Sequence, residues 1–135
     1  GAMPTEDPRN AILRRRLLRG GHGRVVMPVV EEDIVALLTR GLFLEHPVDV
    51  SLLGRPGQCH FNSARLWDAN NDNPDVVLWT GYAEGPDDYI WRPHSWVSNE
   101  EEGILFETTG FERDAYYGFP LTREEANTFY WENAL

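Results

Sequence analysis

Apolar residues first fall at a clear helical period after residue 31. Ile34, Leu37, Leu38 and Leu42 form one stripe on a helix predicted over 31–44, and its opening acidic residues suit the positive end of a helix dipole. A shorter helix is predicted over 8–19, where Ala11, Ile12, Leu17 and Leu18 sit among arginines until Gly20, Gly21 and Gly23 stop it. An extended piece over 24–30 follows. Residues 47–58 read as a loop, with Pro56-Gly57 as its strongest breaker. A third helix starts at Cys59 and runs on through Phe61, Ala64, Arg65, Leu66 and Trp67.

The pattern then changes. Residues 76–82, 89–96 and 104–108 are rich in β-branched and aromatic side chains, and polar turns at 70–74, 85–88 and 99–103 separate them. They predict an antiparallel meander. A closing helix is predicted over 122–133, with Thr122 as N-cap and Glu125 in the capping-box position. Helices first and strands afterwards indicate an α+β fold. There are no repeats and no low-complexity tract.

The 135 residues suit a single domain, 1–135, with a sizeable core. Gly1-Ala2-Met3 reads as the remnant of a trimmed tag. No run reaches the roughly 18 apolar residues of a membrane span, and no secretory signal is visible. One cysteine excludes an intramolecular disulfide scaffold, and a reducing compartment is preferred: cytoplasmic, or reached by delivery as an effector without a visible signal peptide.

The net charge of −10 argues against wholesale nucleic-acid binding. The basic charge is concentrated in an Arg-rich segment within residues 4–24, at Arg9, Arg14, Arg15, Arg16, Arg19 and Arg24. Its plain reading is the solvated face of a helix, and its sharper reading is contact with an acidic partner or RNA. All twelve basic residues are arginine. That excludes lysine as a Schiff-base former or general base.

The chemistry gathers in two stretches. Cys59 follows the Pro56-Gly57-Gln58 break and opens a helix, where unpaired N–H groups and the dipole favour a thiolate. His94 and Trp96 lie two residues apart on one strand and so share a face. Glu107 lies on the next strand, within reach of His94. A cysteine, a histidine and a carboxylate are the parts of a nucleophile, its base and the group that orients the base. The backbone N–H of Cys59 is one oxyanion donor, and Gln58, His60 and Asn62 are the candidates for a second. Trp79, Trp91 and Trp96 are candidates for the walls of a cleft, and so is the aromatic stretch 111–117.

Gly57-Gln58-Cys59 on a helix, His94-Ser95-Trp96-Val97 on a strand and Glu107-Thr108-Thr109 at the end of the next resemble the transglutaminase-like branch of the papain-like superfamily. The match spans 57–109. It implies a papain-like fold, with N-terminal helices packed on an antiparallel sheet. It also implies Cys59 as nucleophile, His94 as base and Glu107 as third member, acting on an amide of a protein or peptide substrate without cofactor. Glu107 stands where the family has Asp, and Thr108 where it has Pro.

The plainer alternatives are an inert buried thiol, a structural histidine beside Trp96, and a Glu107 paired with Arg92 or Arg113. A metal site from Cys59, His60, His94 and Glu107 lacks chelate spacing, and His22 and His46 carry no pattern. The reading from another class is a non-catalytic interaction module using the Arg-rich helix or the aromatic C-terminal half.

Overall fold

The computed structural model describes residues 6–135, and the tag-like Gly1-Ala2-Met3 lies outside them. The described residues form four helices and seven strands in a mixed α+β arrangement. They divide into two compact units. The first takes the chain through Leu44 together with Gly81–Pro93 and Arg113–Phe119. The second takes Glu45–Thr80, His94–Glu112 and Pro120–Leu135. Two long strands, β4 (Val76–Glu84) and β5 (Ile90–Asn99), contribute residues to both. Among the described residues no helix is long and apolar enough to cross a membrane.

In the first unit, α1 (Pro8–Gly20) starts where Asp7 accepts the Arg9 N–H, with proline in the first turn. It buries Leu13 and Leu17 while Ile12 and Leu18 stay exposed, and it packs against α2 (Ile34–Arg40) and β1 (Arg24–Val25). The helix predicted over 31–44 is cut to those seven residues of α2 for two reasons. Glu31 is diverted before the helix: one carboxylate oxygen accepts the Asp33 N–H and the other the Tyr82 hydroxyl. At the far end Gly41 is extended, and a β-carbon there would lie 2.3 Å from both the Leu37 carbonyl and the Tyr117 hydroxyl. The chain beyond it becomes β2 (Leu42–Phe43), antiparallel to β7 (Ala115–Pro120).

The arginine segment is not wholly solvated. Arg16 donates to the Leu38 carbonyl at 3.0 Å and to the Tyr117 hydroxyl at 2.8 Å, and that hydroxyl donates to the Leu37 carbonyl at 2.6 Å. Arg16 and Tyr117 between them donate to two of the last carbonyls of α2. The stretch 111–117 also departs from a cleft wall. Its end enters β7, where Tyr116, Tyr117 and Phe119 are buried as core.

In the second unit the meander appears as expected, with β4, β5 and β6 (Ile104–Phe106) adjacent in order. β5 and β6 run antiparallel with Val97 opposite Phe106, and β3 (Val48–Asp49) adds a parallel edge on β6. α3 (Cys59–Ala69) packs on α4 (Arg123–Asn133) around Trp67, Leu78, Val97 and Ala126. The Thr122–Glu125 capping box forms in full.

Gly81 of β4 passes so close to β7 that a β-carbon would lie 2.2 Å from the Tyr117 carbonyl oxygen and 2.5 Å from the Gly118 Cα. Backbone cannot yield as a flexible side chain does. Gly81→Ala is predicted to cost about 1–3 kcal/mol, read as a lower denaturant midpoint; an unchanged midpoint would contradict this packing.

Candidate active site

Local backbone places Cys59 at the first position of α3. Gly57 adopts the left-handed φ of +69°, which turns the chain immediately before the helix. Asn62, one turn in, reaches back to Arg55: its carbonyl oxygen accepts the Arg55 N–H at 2.9 Å and its amide donates to the Arg55 carbonyl at 2.8 Å. Gly54 has no room for a side chain, because a β-carbon would lie 2.2 Å from the Asn62 amide carbon. The Gly54 N–H in turn donates to the Thr108 carbonyl at 2.8 Å. The loop before Cys59 is thus tied both to the helix that Cys59 opens and to the residue after Glu107.

His94, 5% exposed on β5, stacks on Trp96 with ring centroids 6.1 Å apart, as their shared face predicts. Its Nε2 lies 2.6 Å from Glu107 Oε1. A second hydrogen bond joins its ring to the Cys59 thiol. With Nε2 engaged by Glu107, Nδ1 is the nitrogen left for sulfur. Glu107 is completely buried, and its Oε2 accepts the Thr109 N–H at 3.1 Å and the Thr109 hydroxyl at 2.7 Å. The pairing of Glu107 is therefore with His94. Arg92 pairs instead with Asp88 at 2.6 Å.

The electrostatics follow from this geometry. Burial pushes the Cys59 thiol up, but the His94 hydrogen bond and charge, with a Ser95 backbone N–H, outweigh it and leave the pKa below the ordinary 9.0. Burial pulls His94 down, and the hydrogen bonds to Cys59 and Glu107 more than restore it, leaving it above 6.5. Both shifts favour the thiolate–imidazolium pair.

The remaining sequence candidates sort by what they touch. Asn62 is spent on Arg55, so its amide serves the loop and not an oxyanion. His60 Nδ1 lies 2.6 Å from Ser95 Oγ, and that hydroxyl lies 2.9 Å from Thr80 Oγ1. Burial and the neighbouring His94 hold His60 below its ordinary pKa. Gln58 is exposed at the N-cap and makes no side-chain capping bond, which leaves its amide available as the second donor.

The tryptophans are core rather than cleft walls. Trp79 stacks on Trp96 at 6.3 Å and donates to Ser98 Oγ at 2.8 Å, while Trp91 is wholly buried in the first unit. Ser95, Thr80 and Thr109 were not singled out from sequence. Thr109 was nonetheless legible as a donor two residues after a buried carboxylate.

None of the four residues weighed for a metal belongs to the group with metal-compatible geometry among the described residues. That group is His22, Glu84 and Asp114 in the first unit, with ligand atoms within 4.8 Å of one another. There the His22 ring nitrogen lies 3.2 Å from the buried Glu84 and 3.1 Å from Asp114, and the hydrogen bond to Glu84 raises its pKa. His22 is therefore a paired residue, and His46 likewise lies 3.3 Å from Glu100.

No protein-family model, no curated protein and no solved structure matches this chain.

The thiolate forms as pH rises through the Cys59 pKa, so a lowered pKa moves alkylation to lower pH. The rate of Cys59 alkylation by iodoacetamide is predicted to rise with a midpoint below 9.0. In His94→Ala the opposing burial is no longer outweighed, and the midpoint is predicted to move up. Equal midpoints in the two proteins would remove His94 from the control of this thiol.

Proposed function

We propose that the protein is a cysteine-dependent acyl-transfer enzyme acting on an amide bond, with the helix-and-sheet arrangement of a papain-like site. The observation that supports this most is the buried His94 ring held between Glu107 at 2.6 Å and the Cys59 thiol at the start of α3. In this reading the Cys59 thiolate attacks the amide carbonyl carbon and a C–S bond forms. The tetrahedral oxyanion meets N–H groups of the first turn of α3, which have no partner inside the helix, with the Gln58 amide beside them. The C–N bond then breaks, and the His94 imidazolium gives its proton to the departing amine. A thioester to Cys59 remains. His94, now neutral, takes a proton from water as the water attacks the thioester, and the acid leaves with the thiolate restored. An amine in place of water would give transamidation.

Glu107 fixes the imidazole orientation and stabilises its positive form. Water is the default acceptor, so peptide hydrolysis or side-chain deamidation is the favoured outcome. A second reading, an interaction module keeping this arrangement, draws on the exposed Trp131 and Leu135 near the C-terminal end. It predicts an unreactive Cys59.

Turnover is measured on unfolded polypeptides, following ammonia and new amino termini by mass spectrometry. Glu107→Gln is expected to retain the fold and lower turnover by as much as about 10⁴-fold; a loss under about threefold would take Glu107 out of the mechanism. Because the chain has no lysine, incubation of the pure protein is expected to give no isopeptide ladder through side-chain amines, even if an added primary amine is incorporated into substrate. A lysine-type self-linked ladder would contradict the reading.

A further inference from the structure

A pocket of 360 Å³ lies within the second unit against the helix that carries Cys59. Phe61, Asn62, Arg65 and Leu66 of that helix line it. Thr108, next to Glu107, also borders it. Its apolar lining comes from Leu52, Leu53, Phe61 and Leu66, and Leu53 is 70% exposed.

Two guanidiniums complete it. Arg55 sits 4.4 Å and Arg65 5.5 Å from the centre of the Phe61 ring. Among the described residues neither is joined to a carboxylate by a salt bridge; both are held against the Phe61 ring. In a chain with 22 acidic and 12 basic residues, two cations left over an apolar floor are a local reversal of charge. Stacking on Phe61 pre-orients them without neutralising them, so their fork-like donors remain for an incoming anion. The volume is that of a small ligand site, large enough for part of a peptide rather than a folded surface.

We propose that this pocket is the specificity subsite of the enzyme, and that it takes an extended substrate segment in which an apolar residue adjoins a carboxylate-bearing one. The apolar side chain fills the Leu52, Leu53, Phe61 and Leu66 floor. The carboxylate pairs with the guanidinium of Arg55 or Arg65. This rests on the acyl-transfer reading of Cys59, and it adds the class of substrate: acidic, apolar-flanked segments of a protein chain.

The test uses three acyloxymethyl ketone probes that differ only in an acetyl-Leu-Glu, acetyl-Leu-Gln or acetyl-Leu-Lys peptide. The Cys59 sulfur displaces the probe's carboxylate leaving group and forms a thioether, which intact mass detects. The Glu probe is expected to label at least about tenfold faster than the Gln probe, with Lys slowest, and added salt is expected to shrink the difference. The double variant Arg55→Glu/Arg65→Glu is expected to reverse the order in favour of Lys, a gain that unfolding cannot produce. If the double variant does not fold, the single Arg65→Glu, at an exposed side chain, is expected to compress the Glu-over-Gln ratio. Equal rates for the three probes on a protein whose Cys59 reacts rapidly with iodoacetamide at neutral pH would overturn the subsite while leaving the nucleophile in place. Iodoacetamide labelling no faster than in the denatured chain would overturn the acyl-transfer reading and the subsite with it.

Discussion

Glu107 holds a carboxylate at zero exposure, and a buried carboxylate persists only where donors and a cation meet it. Its two oxygens are both accounted for: one faces the His94 ring, the other the N–H and hydroxyl of Thr109. The need to satisfy that group fixes where the imidazole lies, which nitrogen it turns toward sulfur, and why its positive form persists above its usual range. The long glutamate side chain is held because Thr109, two residues on, pins the far oxygen.

The thiol shows the balance from the other side. Burial is the largest single influence on Cys59 and acts against ionisation, yet the sum runs the other way. Three favourable contributions, the His94 hydrogen bond, its charge and the Ser95 N–H, together exceed two unfavourable ones, burial and the negative charge of Glu107. Removing any single partner therefore has leverage out of proportion to its own strength, since the margin is a difference between opposing effects. The approach to the sulfur is equally determined by backbone. Gly57 turns, Gly54 makes room, and Asn62 closes the loop onto its own helix.

The elements that carry the site were legible because each had a local signature. Breaker residues before Cys59, β-branched and aromatic residues around His94 and the Thr122–Glu125 pair correspond to a helix start, a strand and a cap. Partners brought together by tertiary structure were not legible. Nothing local says that Asn62 turns back to Arg55 rather than forward to a substrate, or that Arg16 leaves the solvated face for the α2 carbonyls. β7 escaped notice because Tyr116-Tyr117-Gly118-Phe119-Pro120 lacks alternation and contains two residues that weaken strands, while its pairing with β2 lies far away in sequence. The length of α2 was misjudged because Glu31 and Gly41 answer to Tyr82 and Tyr117, neither of which is a sequence neighbour.

The contact of His60 with Ser95, and of Ser95 with Thr80, has a directional consequence. A serine hydroxyl carries one hydrogen. When His60 presents a bare Nδ1, Ser95 must point its hydrogen at the ring, and Thr80 must then donate to Ser95. When Nδ1 bears the hydrogen, Ser95 accepts it and its own hydrogen is released toward Thr80. One imidazole tautomer thereby orients two hydroxyl dipoles in series, and the residue in the middle of that relay is the one whose backbone N–H already faces the sulfur.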